Sequence, residues 1–494
     1  MMKGILWVAL LSFLSCSSDL WPGRLNPKNC VANPSACSDS EVCNFETQVC
    51  QVGTLSLRAV DPPAGPVSGG ITLRILGSRF AKGAVVRIAG NIAVPIQFVS
   101  DSELIVTLPA NPAAFGNVPV SVQNPDGSQV TNSQIFHYYV NTLSFVSRPT
   151  AISPIVSDLA AVDVNQDGNP DLITCQATAR SVAVYLGDGR GGLGPPKTTV
   201  LGYAIERMSL GDFNQDGSAD VAVLSTTRSS ITTLLSNRDG TFSSIQETLL
   251  GTTPYAMAVG KFDADNRDDV FLTRRTDDRV LRLLGTGTGT FVTAIPIDTT
   301  LSESYEIVSH DMNGDGTADF VIPNLFGPGV TVLAGDRNAA TSVGNRTDWA
   351  RAGYRAYTAA VGDFNGDGIG DFVVASLLDS TVYPVWGSRQ GPFAEQPPIS
   401  VKPLGGPSVC RALDLNGDGL LDVICADSIS PNMAVLIGDG RGGFAIPKFI
   451  PVGDPSFMDN SRFAIADFDR NGFPDIAIVS GSSTQITLLL NQSF

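Results

Sequence analysis

The chain has 494 residues, 43% of them apolar and only 16% charged, with 50 glycines and 31 prolines. A chain of that length divides into several domains, and this balance suits an all-β protein rich in turns better than a helical or disordered one. A formal charge of −16 excludes nucleic acid as a partner, since no basic surface is available to displace counterions, and two histidines, His137 and His310, leave little for zinc or histidine chemistry.

Residues 1–15 carry one lysine and then an apolar run from Gly4 to Leu14. That run is too short for a bilayer about 30 Å thick and has the layout of an export signal. Ser15-Cys16 resembles the cleavage box of bacterial lipoproteins, where the cysteine becomes the lipidated N-terminus; Phe13 departs from the leucine that group prefers. The expectation is a lipid on Cys16 and a linker over 16–29, with plain secretion as the alternative. No later segment is long and apolar enough to span a membrane. Export lets Cys30, Cys37, Cys43 and Cys50 be read as a disulfide-rich module over 30–50, whose pairing the sequence leaves open.

Residues 54–140 open on a Pro/Gly turn cluster and continue as short runs of alternating apolar and polar residues, such as AVVRIAG, ELIVTLP and VPVSVQNPDG. Such spacing without a helical period predicts a β-sandwich. The stretches PPAGPVSGG, LGSRF and the closing FHYY resemble the IPT/TIG group of immunoglobulin-like domains, commonly spacers or interaction modules. His137 falls among strand aromatics and reads as structural.

From residue 143 to 494 the chain repeats itself every 49 to 53 residues. The stretches are DVNQDGNPD (163–171), DFNQDGSAD (212–220), KFDADNRDD (261–269), DMNGDGTAD (311–319), DFNGDGIGD (363–371), DLNGDGLLD (414–422) and DFDRNGFPD (467–475). Each precedes an apolar run and then a second run ending in a glycine turn. A unit of about 50 residues with four strand-like runs is one blade of a β-propeller, so the expected architecture is a seven-bladed propeller. The last unit stops one strand short, and the orphan segment 143–152 is expected to pair into it and close the ring.

The pattern D-x-[DN]-x-D-G-x-x-D sets oxygen side chains at positions 1, 3, 5 and 9, and its glycine permits a sharp bend. It resembles the first half of an EF-hand loop without the glutamate at position 12. The phased copies are similar to the FG-GAP/VCBS repeats of the integrin α-subunit propeller, a resemblance that implies calcium in each competent loop. The implied ligands are Asp163, Asn165, Asp167 and Asp171; Asp212, Asn214, Asp216 and Asp220; Asp311, Asn313, Asp315 and Asp319. The later loops supply Asp363, Asn365, Asp367 and Asp371; Asp414, Asn416, Asp418 and Asp422; Asp467, Asp469, Asn471 and Asp475. In the third loop Lys261 replaces the first aspartate and Asn266 the glycine, so about six sites are expected, with the third empty and the Lys261 ammonium in the ion's place. Cys410 stands four residues before Asp414 and Cys425 three after Asp422, near the base of one hairpin, which predicts a cross-strand disulfide.

Six residues before each loop stand Ser157, Glu206, Tyr255, Tyr305, Tyr357, Ser408 and Ser461. Tyr255, Tyr305 and Tyr357 occupy equivalent places on three neighbouring blades. They are read either as packing at the mouth of the axis or as a surface for a glycan or protein ligand. The functional expectation is an exported, lipid-anchored, calcium-binding surface protein acting without catalysis in adhesion or in glycan or protein binding. The membrane is touched only through the lipid, at the bacterial outer membrane or cell surface, or not at all if the chain is secreted. The alternatives are an architectural envelope protein and a lyase-like polysaccharide enzyme, though no grouped base and cation stands out for the latter.

Overall fold

The structure, a computed structural model, describes residues 41–44, 49–52 and 54–493 apart from 112–115, 140–142, 153–154, 263–264, 275–278, 293–294, 299–303, 328, 336–345, 352–354, 377, 379, 390–392, 428–429, 453–462 and 480–484. The expected signal, Cys16, the linker, Cys30, Cys37 and Ser461 lie outside these residues. Strands Glu41–Asn44 and Val49–Val52 pair antiparallel and set the backbone of Cys43 opposite that of Cys50. No helix among the described residues is long and apolar enough to cross a membrane.

Residues 54–139 form two sheets. One runs Ser56–Asp61, Thr72–Ser78, Glu103–Thr107, Ile96–Ser100; the other runs Ala64–Pro66, Gln129–Tyr139, Gly116–Gln123, Val85–Ile88, Asn91–Ile92. The period-2 alternation seen in the sequence becomes burial: Leu73 and Ile75, Val86 and Ile88, Leu104 and Val106, Val120 and Val122 are all inside. His137 lies on the long strand, its Nδ1 3.0 Å from the Asn117 side-chain oxygen.

Among the described residues, 143–493 hold seven antiparallel sheets, each formed in sequence order except the last. In the first blade the strands are Asp158–Val162, Asp171–Gln176, Ser181–Tyr185 and Lys197–Val200. Second strands such as Asp171–Gln176, Asp220–Ser225 and Asp371–Ser376 are buried along their whole length. They read as continuous apolar runs because a blade is covered on both faces by its neighbours.

Apolar clusters join each blade to the next. Phe213 and Leu224 pack with Val270 and Leu281, Phe262 and Phe271 with Ile307 and Phe320, and Met312 and Val321 with Ala359 and Phe372. Phe364 and Val373 meet Val423 and Leu436, and Leu415 and Ile424 meet Phe463 and Ile476. The circuit closes where Phe468, Leu488 and Leu490 of the last blade pack with Val164, Leu172 and Val184 of the first.

Closure also uses the orphan strand. Phe145–Ala151 pairs antiparallel with Gln485–Asn491, from Phe145 opposite Asn491 to Ala151 opposite Gln485, and becomes the outer strand of the seventh blade. Pro149 is tolerated there because an outermost strand has one side that needs no partner. The Ser144 carbonyl accepts the Gln492 N–H at 2.7 Å, and the Ser493 hydroxyl accepts the Ser144 N–H at 3.0 Å. The first and last segments of the propeller are thus knitted together.

Candidate functional site: the acid loops and the tyrosine row

Each acid loop joins the first strand of a blade to the second, and six share one hydrogen-bonded frame. In the fifth, the Asp363 carboxylate accepts N–H groups from Gly366, Asp367 and Gly368 at 2.7, 3.1 and 2.8 Å. The Asn365 oxygen accepts the same Asp367 N–H at 2.9 Å, so the oxygens of positions 1 and 3 converge on one donor. The position-5 N–H is shared in this way in the first, second, fourth, sixth and seventh loops as well. Position 5 then accepts from residue 7, as Asp367 does from Ile369 at 2.8 Å.

Position 9 is the buried pivot. One oxygen of Asp371 accepts the Phe364 N–H at 3.0 Å and the other the Gly387 N–H at 2.8 Å, which ties loop, second strand and third strand together. Asp171, Asp220, Asp319, Asp422 and Asp475 repeat the arrangement. The residue at the donating position is a glycine in five blades, Ser236 in the second and Asn491 in the seventh, and where it is glycine a side chain has no room. A Cβ on Gly187, Gly285, Gly335, Gly387 or Gly438 would lie 2.1–2.3 Å from the carbonyl oxygen of the loop's eighth residue. The second blade has Ser236 there and shifts its register at Leu235/Ser236. Gly438→Ala, 2.2 Å from the Leu421 carbonyl, is therefore expected to cost about 1–3 kcal/mol, read from the urea midpoint. A loss below a few tenths would contradict this contact.

Position 6 has positive φ throughout: Gly168, Gly217, Gly316, Gly368, Gly419 and Gly472 at 77–91°, and Asn266 at 64°. Position 4 is left-handed too, a feature the sequence reading missed. Gly314, Gly366 and Gly417 take it freely, whereas Gln166, Gln215 and Arg470 hold φ at 59°. Their side chains cross to the neighbouring loop: Gln166 Nε2 donates to the Gly217 carbonyl at 3.0 Å and Arg470 Nη1 to the Asn169 oxygen at 3.4 Å. Asp268 makes another such link, accepting the Asp212 N–H at 2.6 Å.

The donor set is oxygen only, which suits a hard cation. One oxygen each from Asp467, Asp469 and Asp475 lie within 4.8 Å of one another. Burial first, then repulsion from loop neighbours, pushes the position-9 carboxyls up: Asp220, Asp319 and Asp371 to about 6, Asp475 to about 7 and Asp422 to about 8. Groups that oppose one another in this way fit a divalent ion between them.

The third loop does not fit, and its counter-charge is not the expected one. Lys261 is exposed. The cation beside Asp269 is Arg282 of the third strand, 1% exposed, with Nη2 3.8 Å from Oδ2. Asp265 accepts the Arg267 N–H at 2.9 Å and faces its guanidinium at 3.3 Å. The sixth hairpin holds the expected disulfide, with Cys410 and Cys425 directly opposite in register. His310 ends a first strand opposite Asp319.

At the other end of the first strands the three tyrosines form a row. Tyr255 and Tyr305 meet edge-to-face at 4.8 Å between centroids, and Tyr305 stacks on Tyr357 at 4.9 Å. Arg207 lies 5.8 Å from the Tyr255 centroid. Glu306 accepts Arg411 Nη1 at 2.8 Å and the Ala359 N–H at 3.2 Å, spanning three blades. Register shifts between Pro254 and Met257, Ala356 and Thr358, and Pro407 and Val409 place Tyr255, Tyr357 and Ser408 in bulges, which re-aim side chains. Glu206 is instead held by the Thr226 N–H and hydroxyl at 2.9 and 3.0 Å.

A ring of antiparallel sheets, each opening on an acid loop and preceded by an immunoglobulin-like sandwich, defines a β-propeller protein of the repeat-built kind. The chain belongs to the FG-GAP-like repeat family, whose pattern matches residues 163–223, 212–266, 261–322, 363–425 and 414–478, more than half of its length. An IPT/TIG domain matches residues 55–138. Both kinds of unit are typical of binding or surface proteins more than of catalysts. The chain is 31% identical over 78 residues to Protein SPT23 of Saccharomyces cerevisiae, a match covering 16% of this chain and only 7% of that relative. Among solved structures, BBS1N in complex with ARL6DN is 12% identical at a TM-score of 0.50, covering 70% of this chain and 96% of its own. A lectin of Agrocybe aegerita, described as recognising non-reducing terminal N-acetylglucosamine, is 17% identical at a TM-score of 0.45, covering 90% of this chain and all of its own.

Proposed function

We propose that this chain is an exported calcium-binding surface protein that works by binding a glycan or protein ligand and not by catalysis. Six loops hold the ions in this reading, through the oxygens at positions 1, 3, 5 and 9. The observation that carries it is the shared frame in which oxygens of positions 1 and 3 converge on one N–H beside a buried aspartate at position 9. Calcium in these loops supplies charge neutralisation and crosslinks each hairpin; the chain's own residues set the oxygens and exclude water from position 9. The placement of both histidines in strands supports binding over a lyase role. Cys16 is the anchor in the same reading.

The tyrosine row is the proposed contact surface. Two stacked rings, Tyr305 and Tyr357, with Tyr255 edge-on, give it an aromatic face, and a neighbouring arginine and an ion pair give it polar ends. Glycan-array and cell-binding assays with the calcium-loaded protein test it. Tyr305→Ala is expected to weaken binding at least tenfold, roughly the loss of one aromatic anchor, while leaving calcium binding unchanged. Full binding by that variant would move the contact surface elsewhere, and no binding to any surface would favour the architectural alternative.

A further inference from the structure

We infer that the third blade carries its own cation: the Arg282 guanidinium does there what calcium does in the other six loops, so this blade holds together without metal. The inference rests on the calcium reading of those loops. Arg282 lies on strand Arg279–Leu283 opposite Phe271. The equivalent positions in the other blades are Val184, Thr233, Val332, Pro384, Val435 and Leu488, none of them charged. An arginine in that slot has to shed its water, which costs several kcal/mol unless a counter-charge and acceptors meet it. Both are present. Nη2 donates to the Phe262 carbonyl at 3.0 Å and stands 3.8 Å from Asp269 Oδ2, the oxygen that takes the position-2 N–H in the other loops.

The rest of the site is rebuilt consistently. Phe262, Phe271 and Phe320 pack around the pair with centroids 3.8–5.1 Å apart, and the guanidinium lies 5.9 Å from the Phe271 centroid. The same blade loses the carboxylate of position 1 to Lys261 and the glycine of position 6 to Asn266, while Asp265 is taken up by Arg267. The guanidinium is part of the chain, so a chelator cannot remove this charge.

Hydrogen exchange on the full chain, with calcium and with EDTA, tests this. EDTA is expected to accelerate exchange at least tenfold in strands Asp371–Ser376 and Thr381–Trp386, and less than twofold in Asp269–Arg274 and Arg279–Leu283. Arg282→Met should accelerate the latter pair with calcium present, and Asp269→Asn combined with Arg282→Met should recover most of the loss. Because Arg282→Met alone could unfold the blade, stoichiometry supplies a second arm. Lys261→Asp, Asn266→Gly and Arg282→Val together should bind one more calcium per chain than the parent, whereas the first two with Arg282 retained should bind no more. Parallel loss of protection in all blades, or a gained ion with Arg282 in place, would overturn the inference. Exchange indifferent to EDTA in every blade would instead overturn the calcium reading, and the substitution for calcium with it.

Discussion

Stripping calcium from the loaded protein with EDTA is expected to lower its melting temperature by roughly ten degrees or more. An ion held at a hundred times its Kd adds about 2.7 kcal/mol per site. A few filled loops therefore rival the whole stability of an ordinary domain, about 5–15 kcal/mol. Without the ions, 18 loop carboxylates in six hairpins face one another, against a net charge of −16 for the whole chain. The position-9 members are buried, and burial holds Asp371 near 6 and Asp422 near 8. The frame survives ion loss in part, because those carboxylates also accept two backbone N–H groups each. Loosening should accordingly begin at the side chains of positions 1, 3 and 5, which are more exposed in every competent loop but the sixth. Magnesium should restore less, since it demands a tighter octahedral shell and parts with water reluctantly. A thermal scan decides the matter; equal melting temperatures with and without chelator would leave calcium no structural part.

What the sequence disclosed here and what it hid have different physical origins. The phase of the acid loops announced blades because a repeated supersecondary unit needs its turn residues at fixed offsets. The missing last strand pointed to 143–152 because an open sheet edge needs a partner, and Phe145–Ala151 supplies it. Cys410 and Cys425 were legible for the same reason: equal distances from a hairpin turn meet across it. The tyrosines at matching offsets do come together, although their mutual stacking and their bulges could not be read without coordinates. Position 4 was masked by chemistry. Gly314, Gly366 and Gly417 hinted at left-handed backbone, but Gln166, Gln215 and Arg470 accept that conformation while making cross-loop bonds. Arg282 lay outside the motif altogether, since its partner Asp269 is reached through the third strand and not through the loop. Comparing third strands in register, where Arg282 alone is charged among seven, would have found it.

A chain cut to residues 143–494 should fold and melt cooperatively, whereas one cut to 153–494 should melt at least roughly ten degrees lower and aggregate. The difference is a single strand. Removing it strips the outer partner from every residue of Gln485–Asn491, leaves that strand paired only with Asp475–Val479 and turns it into an exposed edge. It also withdraws Ile152 from the cluster between the last and first blades, and Leu143 and Phe145 from the one beside it. Full burial of such a side chain is worth about 1.5–3 kcal/mol. The seam it closes has other links, among them the Phe468 carbonyl accepting the Gly191 N–H at 3.0 Å. Those links join loop to turn and cannot replace seven residues of ladder. A synthetic peptide of residues 143–152 added to the shorter chain should pair with the bare edge and recover much of the melting temperature, while a scrambled peptide should not. Identical melting of the two chains would mean that the inter-blade clusters hold the ring shut without the strand.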